Sequence, residues 1–247
     1  MLREKCFIFG WMVIWLTGCH SVSIPAIQFT VYEINPSKDT SDAYHRQLYQ
    51  IYRRREEDLN QVIAFSPRAF WQRGEEPVVS NWLADAVLNG VAKKTGIQPD
   101  MVLIPGWVLG KYLPRGNVTK RDILQLIKGD FRWEVRRVSA SAVKQYLDSF
   151  TTLQFGGVSA GTLIKREQNQ ITEVWLQNRL LLPSSEISLL TIRATEPYRK
   201  KLFSLSEFPM ILFGYNIREL VIAYCDSVTG AGLPLKMPEE KRRIEND

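Results

Sequence analysis

Histidine and cysteine are scarce in this 247-residue chain, which contains two histidines and three cysteines. A two-metal phosphoesterase site needs several histidine and aspartate ligands to hold its cations about 3.5–4 Å apart. The two histidines, His20 and His45, cannot supply such a set, and a Ser-His-Asp triad would have to use His45 as its base. The sequence therefore indicates no catalytic residue, no metal site and no cofactor.

Other signatures of catalysis are missing as well. The chain has no G-x-S-x-G motif and no P-loop, and its short glycine pairs are typical of turns. The neighbouring acids Glu56, Glu57 and Asp58 do not face each other on a helix, so they predict no paired acid/base site. The formal net charge is +6, with lysine and arginine spread along the chain. We expect no nucleic-acid partner; such a surface suits acidic lipid headgroups, phosphorylated ligands or an acidic protein.

The N-terminus has the pattern of an export signal. Arg3 and Lys5 precede an apolar run over residues 6–16, too short for a membrane span of about 20 residues. The ending Leu16-Thr17-Gly18-Cys19 resembles the lipobox of bacterial lipoproteins. The resemblance implies that residues 1–18 are removed and that acylated Cys19 anchors the protein to a lipid bilayer in the bacterial cell envelope, facing the periplasm or the surface. An ordinary signal peptide with an incidental cysteine is the alternative.

The mature chain predicts a tether followed by one domain. Residues 19–41 have little periodicity and form the tether, with a candidate strand at residues 28–34; residues 42–247 form the domain. Residues 44–59 predict a long amphipathic helix with Arg53, Arg54 and Arg55 largely on its polar side. Cys225, the one cysteine left after export and acylation, is expected to be a buried, inert thiol in a helix.

The central stretch predicts alternating helices and strands. Apolar residues at three- and four-residue steps over 79–91 predict a helix with one buried face, for which Pro77 suits the first turn. Residues 101–104 predict a buried strand, and Thr119 and Asp122 predict a capping box. Residues 131–138 predict a strand with one roughly apolar face, on which Phe131 and Arg137 lie, and one charged face, on which Val138 lies. Ser139 can cap the next helix.

The remaining chain predicts a strand-rich block and a closing helix. Candidate strands cover residues 62–66, 151–155, 161–165, 171–176, 179–182 and 186–194, and a charged tail covers residues 238–247. Strands and helices do not alternate regularly as in a doubly wound sheet. The pattern alone therefore predicts a mixture of helices and strands that is not a doubly wound sheet.

The central residues carry a family resemblance. The segment SNWLADA, followed by LIPGWVLGKYLPRGNVTKRDIL, resembles the C-terminal domain of bacterial 5'-nucleotidases. This resemblance implies an α+β fold, with mixed sheets packed with helices in layers, and a possible nucleoside or nucleotide ligand. The family's N-G-G-G-I-R loop corresponds to Pro105 to Gly110 here, so the substrate-binding Asn and Arg are absent. The bulky Trp107 lies in this loop, where the family has glycine. The family's base-stacking aromatic falls on Tyr198, and Ser204 stands where its ligand-fixing Asp would be.

These matches and departures lead to three hypotheses. The first is a non-catalytic exported lipoprotein whose degenerate 5'-nucleotidase C-terminal-like domain acts in binding or assembly. The second is the nucleotide-recognition half of a split nucleotidase that works with a separate metallophosphatase. The third is a structural domain whose vacated pocket is filled by Trp107. The candidate ligand contacts are Trp107, Phe131, Arg132 and Tyr198; a surface tyrosine beside three cations is the alternative reading of Tyr198.

Overall fold

The computed structural model describes residues 43–71, 78–110, 112–150, 156–168, 170–193, 202–214 and 216–246. The expectations for residues 1–42, Pro77, the strand at 151–155 and Tyr198 lie outside this part. The chain divides into two compact units, Met1–Tyr49 and Gln50–Asp247. In the described part the helices are α1 (Ala43–Leu59), α2 (Val78–Thr95), α3 (Lys120–Leu126), α4 (Ala140–Asp148) and α5 (Ile217–Gly230).

The strands of the described residues form three sheets. A five-stranded mixed sheet has the order β10 (Met210–Gly214), β4 (Trp133–Ser139), β9 (Glu186–Ile192), β2 (Met101–Ile104), β5 (Gly157–Val158). A four-stranded sheet has the order β11 (Arg243–Asn246), β6 (Thr162–Glu167), β7 (Gln170–Leu176), β8 (Arg179–Leu180). A ribbon pairs β1 (Val62–Ser66) with β3 (Gly116–Thr119). The predicted α+β class with mixed sheets is confirmed.

Helix α2 is buried on nearly all sides rather than on one. The predicted apolar positions are buried, and so are Ser80, Asn81, Ala84 and Gly90. The helix packs against β2 and β5 and also against α5. At Gly90 an added Cβ would lie 2.1 Å from the carbonyl oxygen of Leu220, so glycine allows α2 and α5 to approach closely. Periodicity located the helix but missed the second packing face, because a small or polar residue gives no apolar signal.

The predicted helix caps are confirmed. Asp122 accepts a hydrogen bond from the Thr119 backbone N–H at 2.8 Å, and Thr119 Oγ1 accepts one from Asp122 N–H at 3.3 Å, which completes the capping box of α3. Ser139 Oγ accepts from Ala142 N–H at the start of α4. These caps satisfy backbone donors that the first helical turn leaves without intrahelical partners.

Two expectations about strand faces and the C-terminus are wrong. In β4, Arg137 is exposed and Val138 is buried, because the alternation that buries Trp133 and Val135 shifts by one residue towards the end of the strand. Residues 238–247 are not a charged tail. Strand β11 pairs in parallel with β6, and the side chain of Arg242 is only 2% exposed. The carboxylate of Asp85, which is distant in sequence, pairs with the buried guanidinium and compensates its lost hydration.

Helix α1 is present, as expected, but several of its apolar side chains are exposed. Leu48, Ile51 and Tyr52 have exposed fractions of 44%, 51% and 62%. In the described part of the chain, no helix is both long and apolar enough to cross a membrane. The predicted burial of Cys225 in α5 is confirmed, and burial raises the pKa of its thiol to about 12.

Candidate binding site

Strand directions gather several candidate residues at one edge of the five-stranded sheet. Strands β2 and β9 are parallel and therefore end at the same edge, whereas β4 is antiparallel to β9 and begins there. Trp107 follows β2 in a 3₁₀ turn, Gly106–Val108. Phe131 and Arg132 directly precede β4, and Arg193 directly follows β9. The Arg193 N–H donates to the Arg132 carbonyl oxygen at 2.9 Å.

A cavity of about 470 Å³ opens beside this edge. Its volume lies within the 300–1,000 Å³ typical of small-molecule sites. Arg136 and Glu134 form an ion pair in its wall, whereas Arg132 and Arg193 are exposed at its surface. The lining combines cations, one acid, hydroxyls and apolar groups: Arg132, Trp133, Glu134, Arg136, Tyr146, Thr191, Ile192, Arg193, Leu202, Phe203, Ser204, Leu205, Ser206, Met210 and Phe213.

Arg136 has a structural role in the cavity wall, because its guanidinium group is bound to other groups of the protein. Its Nε lies 3.0 Å from Glu134 Oε1, and its Nη2 donates to Glu134 Oε2 at 3.1 Å. Its Nη1 donates to the carbonyl oxygens of Phe208, at 2.6 Å, and Ser206, at 3.3 Å. The guanidinium thus ties the segment around Ser206 to the face of β4. The cation and its acid neutralise each other, so the net positive charge of the lining comes from Arg132 and Arg193.

Tyr146 supplies a buried hydroxyl to the cavity wall. Its hydroxyl lies 3.1 Å from Thr191 Oγ1, and either group can be the donor. Burial raises the pKa of Tyr146, and the nearby charge of Glu134 acts in the same direction. The phenol therefore stays neutral and can exchange hydrogen bonds, but it is poorly suited to act as an anionic base.

An aromatic stack supports this wall from behind. The Tyr146 ring meets Phe150 edge-on with a centroid distance of 5.0 Å. Trp107 stacks on the other side, with its centroid 5.6 Å from that of Phe150 and an interplanar angle of 20°. Trp107 is 9% exposed and does not line the cavity. Its position suits an internal support of the site.

The structure therefore brings some of the predicted contacts together. Arg132 lines the cavity, and Phe131 is half-buried next to it, with its carbonyl oxygen accepting from Ile217 N–H at 3.1 Å. Trp107 lies behind the wall, and Tyr198 lies outside the described residues. Sequence reasoning missed Arg193, Tyr146 and Thr191. The end of a strand was the available signal for Arg193, whereas Tyr146 has the helical spacing of an ordinary core residue.

The residues of the SNWLADA segment have a structural role. Asn81 Oδ1 accepts from Val158 N–H at 3.0 Å, and Asp85 Oδ1 accepts from Ala160 N–H at 2.7 Å. Asp85 also binds Arg242 through both carboxylate oxygens, at 2.9 and 2.7 Å. These bonds hold α2 to β5 and to the C-terminal strand. The part of the sequence that carries the resemblance thus maintains the scaffold and does not line the cavity.

Acidic and sulfur side chains are the remaining candidates for metal ligands. Within the described ranges, no group of three or more His, Cys, Asp or Glu side chains could hold a metal ion. His20 lies outside those ranges, and the side chain of His45 is not among the described side chains.

Comparison with known proteins supports the fold but gives no relationship in sequence. No protein-family model matches the chain, and no curated protein matches it. Among solved structures, it is similar to a 5'-nucleotidase precursor from Thermus thermophilus, with a TM-score of 0.67 and 13% identity over 83% of this chain and 43% of the other. It is similar to a putative 5'-nucleotidase from Staphylococcus aureus, with a TM-score of 0.61 and 12% identity over 90% of this chain and 46% of the other.

A further similar structure has a different name. The sulfate thiohydrolase SoxB from Thermus thermophilus matches with a TM-score of 0.60 and 14% identity, over 81% of this chain and 38% of the other. The chain thus spans less than half the length of these structures. At these identities the comparisons show a shared fold, and the fold alone does not determine the activity.

Proposed function

We propose that this chain is a binding domain without hydrolytic chemistry of its own, and that its ligand carries a phosphate or another anion, as a nucleotide does. The observation that carries the proposal is the cavity at the sheet edge with Arg132 and Arg193 at its surface. Guanidinium groups present planar sets of donors that match phosphate and carboxylate oxygens. The similarity in fold to 5'-nucleotidases makes a nucleotide the first ligand to test.

The lining suits a ligand with one charged end and one ring. Arg132 and Arg193 offer positive charge, Tyr146 and Thr191 offer hydroxyls, and Phe213 offers an aromatic face. Stacking of a base on an aromatic side chain contributes about 1–3 kcal/mol. This combination favours a nucleotide over a simple inorganic anion.

Hydrolysis of that ligand would need ligands for metal ions that the chain does not supply. Two histidines are too few for the two-metal chemistry described above. Any phosphate-ester cleavage would therefore depend on a separate metallophosphatase, for which this domain would hold the substrate. The domain would be exported and anchored to a bacterial envelope membrane by acylated Cys19.

A role in assembly is the second candidate, and the position of Trp107 favours it. The indole occupies the loop whose family counterpart is rich in glycine, and it stacks inside the protein on Phe150. Because the indole of Trp107 packs inside the protein, this loop is packed without any ligand. In this case the cavity would be empty of nucleotides and the domain would act by contacting another protein.

Calorimetric titration of the full chain with AMP, adenosine and UDP-sugars tests the proposal. We expect saturable binding of a nucleotide that Arg132→Ala and Arg193→Ala each weaken by about ten-fold or more, because each removes a charge-assisted hydrogen bond of about 1.5–3 kcal/mol. Arg137→Ala is the matched control: Arg137 is exposed on β4 but does not line the cavity. No binding by any nucleotide would refute the proposal and favour the role in assembly.

A further inference from the structure

Helix α1 carries a row of exposed apolar side chains. Leu48, Ile51 and Tyr52 recur at three- and four-residue steps, and Leu59 extends the same row by two further turns, which places them on one side of the helix. We call this row the α1 stripe. Ile51 and Tyr52 are more than half exposed. A row of this kind is unusual on a helix that has only water beside it, since burial of such side chains is favourable.

Arginines accompany the α1 stripe. Arg54 and Arg55 are exposed, and helical geometry places Arg55 within the row between Leu48 and Leu59, with Arg54 at its edge. Arg53 is on the other side, where it forms an exposed ion pair with Glu57 at 3.0 Å. Long arginine side chains can extend along apolar surface while the guanidinium reaches a charged layer. An apolar row with cations in and beside it suits an anionic interface.

Ion pairs attach the C-terminal end of α1 to α3. Arg121 binds Glu56 at 2.6 Å, and Lys120 binds Asp58 at 2.5 Å. Arg121 Nε also donates to Asn60 Oδ1 at 3.2 Å. These contacts engage Glu56 and Asp58 with basic residues of α3, and Glu57 pairs with Arg53. Arg54 and Arg55 are exposed beside the apolar row.

We infer that α1 lies along a membrane surface rich in anionic phospholipids, with the α1 stripe in the interface and Arg54 and Arg55 at the headgroups. The inference rests on the proposed anchor at Cys19. Residues 20–42 separate Cys19 from α1, and a chain of this length reaches at most about 80 Å. An anchor at Cys19 would therefore limit the distance between α1 and the bilayer, and each basic residue at an anionic surface strengthens binding.

The test places a polarity-sensitive fluorophore on either side of the helix in the full chain. Tyr52→Cys puts the label on the α1 stripe, and Glu57→Cys, exposed and close to the opposite side, is the matched control. The protein is reconstituted in vesicles of phosphatidylcholine alone or with phosphatidylglycerol. We expect the label at position 52 to report an apolar environment only when phosphatidylglycerol is present, and the label at position 57 to report water throughout.

The arginines give a second readout. Arg54→Gln and Arg55→Gln should each lower the ratio of membrane-bound to dissociated helix by about five-fold, which corresponds to about 1 kcal/mol per basic residue. A label at position 52 that reports water beside phosphatidylglycerol would overturn the inference. A label that is already shielded without vesicles would also overturn it, because the stripe would then be covered by protein.

Failure of this inference is distinguishable from failure of the proposed function. Nucleotide titration of the same labelled protein reads the cavity and does not depend on α1. Mass spectrometry of the purified chain reads acylation of Cys19. If Cys19 is not acylated, the label at position 52 can still be read with added phosphatidylglycerol vesicles, and an aqueous signal there would reject the membrane contact of α1 itself.

Discussion

Replacing Arg242 tests whether the C-terminal strand belongs to the cooperative fold. The Arg242 side chain is 2% exposed and forms a two-point ion pair with Asp85. It also donates to the carbonyl oxygens of Val158, at 2.5 Å, and Asn81, at 3.3 Å. Arg242→Ala would remove the guanidinium from the carbonyl oxygens and from the largely buried Asp85 carboxylate, which would keep only its bond from Ala160 N–H among the bonds described above.

The expected cost follows from that loss. Removing one partner of a buried ion pair typically destabilises a protein by about 3–5 kcal/mol. Burial already raises the pKa of Asp85 against the opposing effect of Arg242. Without the guanidinium that opposing effect disappears, so Asp85 should be protonated at a higher pH than in the unchanged protein. Protonation would relieve part of the cost, which places the expected loss near the lower end of the range, at about 3 kcal/mol.

Urea denaturation followed by circular dichroism measures this change in the free energy of unfolding. Lys241→Ala is the matched control, because Lys241 is the exposed neighbour of Arg242 and such surface changes usually stay within about 0.5 kcal/mol. The double change Asp85→Asn with Arg242→Met should recover part of the loss, since no charge is left buried. A loss below about 1 kcal/mol in the free energy of unfolding of Arg242→Ala would refute the reasoning, because breaking a buried ion pair should destabilise the protein by more than that.

Two further predictions concern packing and ionisation. Gly90→Ala should destabilise the protein by about 1–3 kcal/mol, since its Cβ would collide with the backbone of α5, whereas Gly230→Ala, whose Cβ would meet nothing within 4 Å, should be close to neutral in the same urea titration. The free energy of unfolding should also fall as pH rises above 9.0, the ordinary pKa of a thiol, because Cys225 stays protonated in the folded state up to about 12 while the unfolded chain ionises. Cys225→Ala should reduce this alkaline loss, and an unchanged pH profile would contradict the assignment.

The elements that depend on neighbours in sequence were predictable. The capping box of α3 joins residues three apart, and the apolar run of β2 fixes a buried strand by its own composition. Such signals come from backbone geometry and from the burial of adjacent side chains, which act over a few residues. The α+β class with mixed sheets was predicted mainly from the family resemblance, because the local pattern alone indicated only helices and strands without regular alternation.

The candidate site was only partly predictable. Arg132 was named from the sequence as a candidate ligand contact, and it lines the cavity. Thr191 and Arg193 belong to β9 and its end, whereas Tyr146 belongs to α4, and only the packing of α4 on the sheet places all three beside it. The expected ligand contact at Trp107 stays a prediction, although its indole supports Phe150 from behind the wall.

The amino-acid sequence by itself determined the local elements, the caps and the resemblance of SNWLADA to a known scaffold. The tertiary structure decided what those residues do. Asp85 and Arg242 are 157 residues apart in the chain, and no local pattern marks a basic residue near the C-terminus as buried. An arginine is buried only where a distant carboxylate and carbonyl oxygens compensate its lost hydration. The compensation exists only after the strands have assembled, and so does the cavity that Arg132 and Arg193 share.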